Sequence, residues 1–164
     1  MKEAEINMKV ITMDMSKCVG CRNCELACAF MKSGDTCERQ KSMIRVNHYI
    51  DEHAVIPMTC LHCEDAWCLD VCPSGAIKRD GRTDAVIIQK EKCAGCKMCI
   101  LACPYGNIHF DSDEHVCVKC DLCDGNPRCV GHCIAAALNY EDVEEFAERT
   151  RQKVDKQLAS RMRD

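Results

Sequence analysis

The sequence predicts an α+β fold: two small interleaved units followed by a C-terminal helix. Three observations predict it. Four cysteine-rich runs recur along 164 residues, short apolar segments of strand character lie between them, and the stretch from Glu141 to Asp164 has no cysteine, glycine or proline. Hydrophobic residues make up 47% of the chain, but cysteine supplies 18 of them and aromatics only 4% of the chain. What remains is too thin for an ordinary core, so bound metal is the expected support.

The third run sets the pattern. Cys93, Cys96, Cys99 and Cys103 are spaced C-x2-C-x2-C-x3-C, with Pro104 behind them. This is the spacing of bacterial-type ferredoxins, which hold [4Fe–4S] clusters. A loop tight enough to place three thiolates on three corners of a cubane cannot easily add a fourth. The next cysteine sits on the helix that follows and points away; in two-cluster ferredoxins it serves the other cluster. The proline stops that helix.

The remaining elements follow in order. Met8 to Met13 reads as a first strand and leads into the first run, Cys18, Cys21, Cys24 and Cys28. Cys24 to Phe30 is helical in composition, with Gly34-Asp35 able to end it. Ile44 to Ile50 alternates apolar and polar residues, as a strand does. Val55-Ile56-Pro57 leads into the second run, Cys60, Cys63, Cys68 and Cys72, followed by Pro73. Residues 76–79 and 85–88 flank Asp80-Gly81 and predict a β-hairpin with an Asp-Gly turn. Ile108-His109-Phe110 is a further short strand. In the fourth run, Cys120, Cys123, Cys129 and Cys133 repeat the second run's pattern with one residue more. Cys117 then lies on the strand-like His115 to Val118, outside the loop. Ala135 to Tyr140 closes the cluster region. In the tail, Val143, Ala147, Val154, Leu158 and Met162 recur at helical multiples, acidic residues crowd the start, and Arg161 and Arg163 sit near the end. Asn139 is its expected cap.

Several classes are set aside. The cysteine spacing suits metal ligands better than disulfide bridges, and Met1 to Asn7 carries no signal-peptide pattern. Cysteines come as a triplet plus one, whereas zinc sites commonly use two separated pairs. No apolar run reaches the length of a membrane span. With 26 acidic against 22 basic residues and no basic, aromatic-laced stripe, nucleic-acid binding has little support. No nucleophile–base pattern, phosphate loop or nucleotide fingerprint points to catalysis. Cys37, Cys117, His62 and His132 are expected to stand outside the ligand sets, since every run already has four cysteines.

Runs two and three share a Cys-Pro ending and a joining hairpin, while runs one and four lack that proline. This suggests pairing two with three and one with four; spacing alone leaves pairing in sequence order open. Residues 60–104 would then form an inner unit, 1–59 with 105–140 an outer one, and 141–164 a tail.

The segments Cys18 to Cys28, Cys60 to Ala66, Cys103-Pro104-Tyr105-Gly106 and Lys119 to Cys123 resemble motifs of a known family. It is that of the four-cluster iron–sulfur subunits of molybdenum and tungsten oxidoreductases, and the resemblance covers nearly all of residues 8 to 140. Ser42 to Val46 and the compact Cys123 to Cys129 are most similar to partners of tungsten enzymes of the aldehyde oxidoreductase and benzoyl-CoA reductase type. Ile134 stands where that family usually has a proline. The resemblance implies a non-catalytic, cytoplasmic electron-transfer subunit with four [4Fe–4S] clusters. Its partners would be a tungsten- or molybdenum-containing catalytic subunit and a second redox protein such as a ferredoxin. A stand-alone polyferredoxin, or a carbon monoxide dehydrogenase or hydrogenase subunit, is the alternative; a zinc-built adaptor is a distant third. The implied ligand sets are crossed: Cys18, Cys21, Cys24 and Cys133; Cys120, Cys123, Cys129 and Cys28; Cys60, Cys63, Cys68 and Cys103; Cys93, Cys96, Cys99 and Cys72.

Overall fold

The computed structural model describes residues 9–35 and 37–162. In chain order its elements are β1 (Lys9–Met13), α1 (Asn23–Ser33), β2 (Arg45–Tyr49), β3 (Ala54–Met58), α2 (Trp67–Asp70), β4 (Ile77–Arg79), β5 (Val86–Ile88), α3 (Met98–Ala102), β6 (His109–Asp111), β7 (Val116–Val118), α4 (Arg128–Gly131), β8 (Leu138–Asp142) and α5 (Val143–Arg161). The strands pair in antiparallel twos: β1 with β8, β2 with β3, β4 with β5, and β6 with β7. Met8 of the expected first strand, and Arg163 and Asp164 of the expected tail helix, lie outside the described residues.

α1 ends where its sequence allows. Gly34 takes a left-handed φ of 81° and its amide donates to Phe30 O at 2.8 Å, a closure that glycine adopts without a Cβ penalty. The helix buries Cys24, Glu25, Cys28 and Ala29 as one stripe. Glu25 is anchored by two bonds of 2.7 Å, from Arg39 Nε to Oε2 and from the Val46 amide to Oε1. One carboxylate therefore ties α1 to β2.

Three expectations need correction. Val55-Ile56-Pro57, read as a lead-in, belongs to β3, with Pro57 opposite Val46; a two-stranded sheet has an open edge where a missing amide costs no ladder bond. The β4–β5 connection is not a tight Asp-Gly turn. Asp80 Oδ2 accepts from the Thr83 amide at 3.0 Å and from its hydroxyl at 2.8 Å, and the left-handed residue is Asp84 (φ 57°). The Asp80 side chain thus organises a longer loop. Finally, Asn139 does not cap the tail helix but pairs with Thr12 inside β8, because β8 zips onto β1; Asp142 takes the cap position with no side-chain capping bond.

Two apolar groups form the interior, and cysteine belongs to both. One gathers Ile11, Ile44, Val46, Leu122 and Leu138 around Cys24, Cys28, Cys120 and Cys129. The other gathers Ile77, Val86 and Ile108 with Cys99 and Cys117. α1 packs on α4 and α2 on α3. α5 buries no residue; it leans on β8 and β1 through Arg149 to Glu141 and Lys153 Nζ to Asp14 Oδ2, the latter at 3.1 Å. Among the described residues no helix is long and apolar enough to cross a membrane.

The backbone repeats with the cysteines. The residue before the second cysteine of each run is left-handed: Gly20 (φ 70°), His62 (49°), Gly95 (66°) and Leu122 (58°). Three different residue types in one conformation mark the loops as a single repeated device.

Candidate metal centres

The loops bend so that each run contributes to two sulfur groups. Cys18, Cys21 and Cys24 share a cavity with Cys133 of the fourth run. Cys60, Cys63 and Cys68 line another with Cys103 of the third. Cys93, Cys96 and Cys99 line a third with Cys72 of the second, and Cys117 completes its wall. The fourth group is the most enclosed. Cys28, Cys120 and Cys129 are all buried, and the charges of Cys120, Cys28 and Cys123, and of Cys24 in the neighbouring group, all reach Cys129.

Helix geometry explains this sharing. Cys24 and Cys28 are one turn apart on α1 and face neighbouring groups, as do Cys99 on α3 and Cys103 at its end. The packing of α1 on α4 and of α2 on α3 then brings run one to run four and run two to run three. Among the described residues, no three His, Cys, Asp or Glu side chains converge on a single-ion position. The sulfurs instead stand around the walls of shared spaces.

The surroundings fit thiolates bound to a multi-iron cluster. Backbone amides donate to Sγ of Cys28 (from Met43, 3.2 Å), Cys60 (His62, 3.4 Å), Cys93 (Cys117, 3.4 Å), Cys120 (Leu122, 3.4 Å) and Cys133 (Ala137, 3.2 Å). Each of the four groups receives at least one such bond. N–H groups aimed at sulfur stabilise its negative charge. Burial works against bare thiolates, pushing Cys24, Cys99 and Cys120 up to about 12 and raising Cys129 further. Deprotonated sulfur at these places needs a compensating cation, which iron would supply. Cys72 goes the other way: burial raises it, but bonds from the Ser74 hydroxyl and the amides of Ile77, Ala76 and Ser74 outweigh that and hold it low.

The residues outside the runs divide. Cys37 is exposed beside Phe30 and Ile134, on a surface that Cys133 of the first group also lines. His132 Nδ1 lies 2.9 Å from Arg128 O on the exposed side of α4. Cys117, expected on a strand outside the fourth loop, does lie on β7, and there it is buried against the sulfurs of the third run. His62 is also more than a bystander. It is buried, and Nδ1 accepts from the Val86 amide at 3.1 Å. Burial and then the Lys119 ammonium push the imidazole down to about 3. Sequence spacing gives Lys119 no role beyond its place in the Lys119 to Cys123 motif. The signal was there: one cation directly follows the buried strand Val116-Cys117-Val118.

Comparison with known proteins agrees with this chemistry. Residues 52–143 match the family described as a 4Fe-4S dicluster domain, and residues 10–32 a 4Fe-4S binding domain. The polyferredoxin-like subunit of the aliphatic sulfonate oxidoreductase of Pyrococcus furiosus is 40% identical over 76% of this chain and 69% of its own length. The beta subunit of the NADH-dependent phenylglyoxylate dehydrogenase of Aromatoleum evansii is 36% identical over 79% of this chain, which spans only 29% of that protein. Among solved structures, the BamBC active-site complex of benzoyl coenzyme A reductase aligns at 25% identity over 82% of this chain and 75% of its own, with a TM-score of 0.48. The match over residues 52–143 and the relatives in sequence make this chain an electron-transfer member of the 4Fe-4S dicluster domain family.

Proposed function

We propose that the chain holds four [4Fe–4S] clusters, ligated crosswise by the four sulfur groups described above, and relays single low-potential electrons to or from a tungsten- or molybdenum-containing oxidoreductase subunit. The carrying observation is the grouping of sulfurs from the first run with the fourth and from the second with the third. In this reading the two dicluster units interleave, with residues 60–104 inside the segments 1–59 and 105–140.

Bound [4Fe–4S] clusters accept and release one electron at a time at potentials set by charge, hydrogen bonds to sulfur and solvent access. The chain's part is to hold them in a row. Shared helices join the group containing Cys99 to that containing Cys103, and the group containing Cys24 to that containing Cys28. Cys60 and Cys120 are close enough to feel each other's charge, which links the inner pair to the outer. The exposed Cys21 and Cys96 belong to the two end groups. Such a row has an exposed cysteine at each end, which suits a conductor with a donor at one end and an acceptor at the other.

The catalytic partner is placed in the aldehyde oxidoreductase or benzoyl-CoA reductase class on the strength of the sequence resemblance, and α5 is its candidate clamp. A ferredoxin-like protein would serve the other end, in the cytoplasm, where thiols stay reduced. The test is anaerobic native purification with metal analysis. About sixteen irons per chain and a stoichiometric tungsten or molybdenum subunit are expected. Zinc in place of iron overturns the cluster reading. A fully loaded chain that is reduced and reoxidised without binding any partner at any salt points to a free polyferredoxin instead.

A further inference from the structure

We infer that Lys119 and His62, both pinned to Val86, are positioning residues that raise the reduction potential of the cluster held by Cys60, Cys63, Cys68 and Cys103. This rests on the cluster reading above and goes beyond it by making one site the electron well of the row.

Val86 offers both of its backbone groups. Its amide donates to His62 Nδ1 at 3.1 Å, and its carbonyl accepts from Lys119 Nζ. Lys119 is only 6% exposed, and its second bond goes to the Cys120 carbonyl at 3.4 Å. Among the described residues no carboxylate forms an ion pair with it; Asp121, two residues on, is engaged by Lys32 Nζ at 2.5 Å. A buried cation satisfied only by carbonyls is costly unless negative charge lies near it. Lys119 and His62 both line the cavity of Cys60, Cys63, Cys68 and Cys103. Four thiolates on one cluster provide that negative charge, and it grows by one when an electron arrives.

His62 adds a second element. Since Nδ1 accepts an amide proton, the ring's own proton is on Nε2, and Nε2 is buried with no partner among the described residues. An N–H left unmatched in the interior is expensive, and the sulfur of a cluster held in the cavity that His62 lines would be an acceptor for it. A fixed cation and a neutral N–H donor both favour the reduced, more negative cluster.

The experiment is an anaerobic redox titration followed by electron paramagnetic resonance, on parent protein and variants matched for iron and sulfide. The parent's iron content and spectrum test the cluster reading by themselves. Lys119→Met is expected to lower the potential of one cluster and leave the others in place. Lys119→Arg stays near the parent, and His62→Phe shifts the same cluster by a smaller step. Cys68→Ser identifies that cluster by altering the same signal. Lys119→Gln, which keeps a donor for Val86 but drops the charge, gives the reading if Lys119→Met does not load. Loaded neutral variants with all potentials unchanged overturn the inference. So does a set in which every neutral variant fails to load while Lys119→Arg loads, because Lys119 would then be needed for assembly and not for tuning.

Discussion

The Cys117 amide donates to Cys93 Sγ at 3.4 Å, so β7 forms the back wall of the group made by Cys72, Cys93, Cys96 and Cys99. A fifth cysteine thus stands inside a four-cysteine site. The backbone bond survives loss of the side chain, so Cys117→Ala should keep the full iron content. Cys93→Ala should lose about a quarter of it if four clusters are bound. Iron and sulfide analysis checks this; loss of a cluster in Cys117→Ala would make Cys117 a ligand in place of Cys72.

Glu25 is the buried tie between α1 and β2, accepting from both Arg39 Nε and the Val46 amide. Glu25→Ala should cost about 1.5–3 kcal/mol, the range for bonds to a charged group, and Glu25→Gln less because one acceptor remains. Anaerobic denaturant titration followed by cluster absorbance measures it. Equal losses in the two variants would show that packing outweighs the charge-assisted bonds.

Gly95 and Gly20 occupy the same left-handed place in their loops but differ in what surrounds them. A Cβ on Gly95 would come 2.6 Å from the His115 carbonyl, which is backbone; one on Gly20 would meet the His48 ring, which can turn away. Both substitutions carry roughly 1–2 kcal/mol of left-handed strain. Gly95→Ala should therefore impair cluster loading more than Gly20→Ala, as iron content after matched reconstitution would show.

Docking of α5 depends on pH through Asp14. Its carboxyl is held at about 2 by bonds from the Ser16 hydroxyl and the Lys153 ammonium. The folded value lies below the ordinary value of about 3.9, so the contact contributes fully above that pH and is lost as pH falls through about 2. Asp14→Asn imitates the protonated form at neutral pH. Because Lys153 is half exposed, the pair contributes about 0.2–1 kcal/mol. Hydrogen exchange in α5 should rise by up to about fivefold with iron content unchanged; no change would place the docking elsewhere, with Arg149 and Glu141 the next pair to test.

Stripping iron with a chelator under oxidising conditions should abolish cooperative unfolding. Cys24, Cys28, Cys99, Cys120 and Cys129 are buried members of the apolar interior, so the groups proposed to hold metal would also hold the fold. Near-native circular dichroism in the iron-free protein would refute this.

The sequence by itself determined the kind of chemistry, because ligand spacing is local. Four runs of cysteine, a glycine ready to end α1 and a tail at helical spacing can all be read from residues near one another in the chain. Tertiary structure decided what depends on distant partners. Asn139 could be a cap until β1 claimed it for a strand, and Val55-Ile56-Pro57 was only a lead-in until β2 lay beside it. Spacing left the arrangement of the runs open; helix packing sets the sulfurs of run one beside run four and those of run two beside run three. The junction of His62, Val86 and Lys119 spans three separate segments, and neither the buried Nε2 nor the buried cation has any meaning before they meet. Cluster type is written in short-range geometry, whereas the charge environment that would tune each cluster is made only when the chain closes on itself.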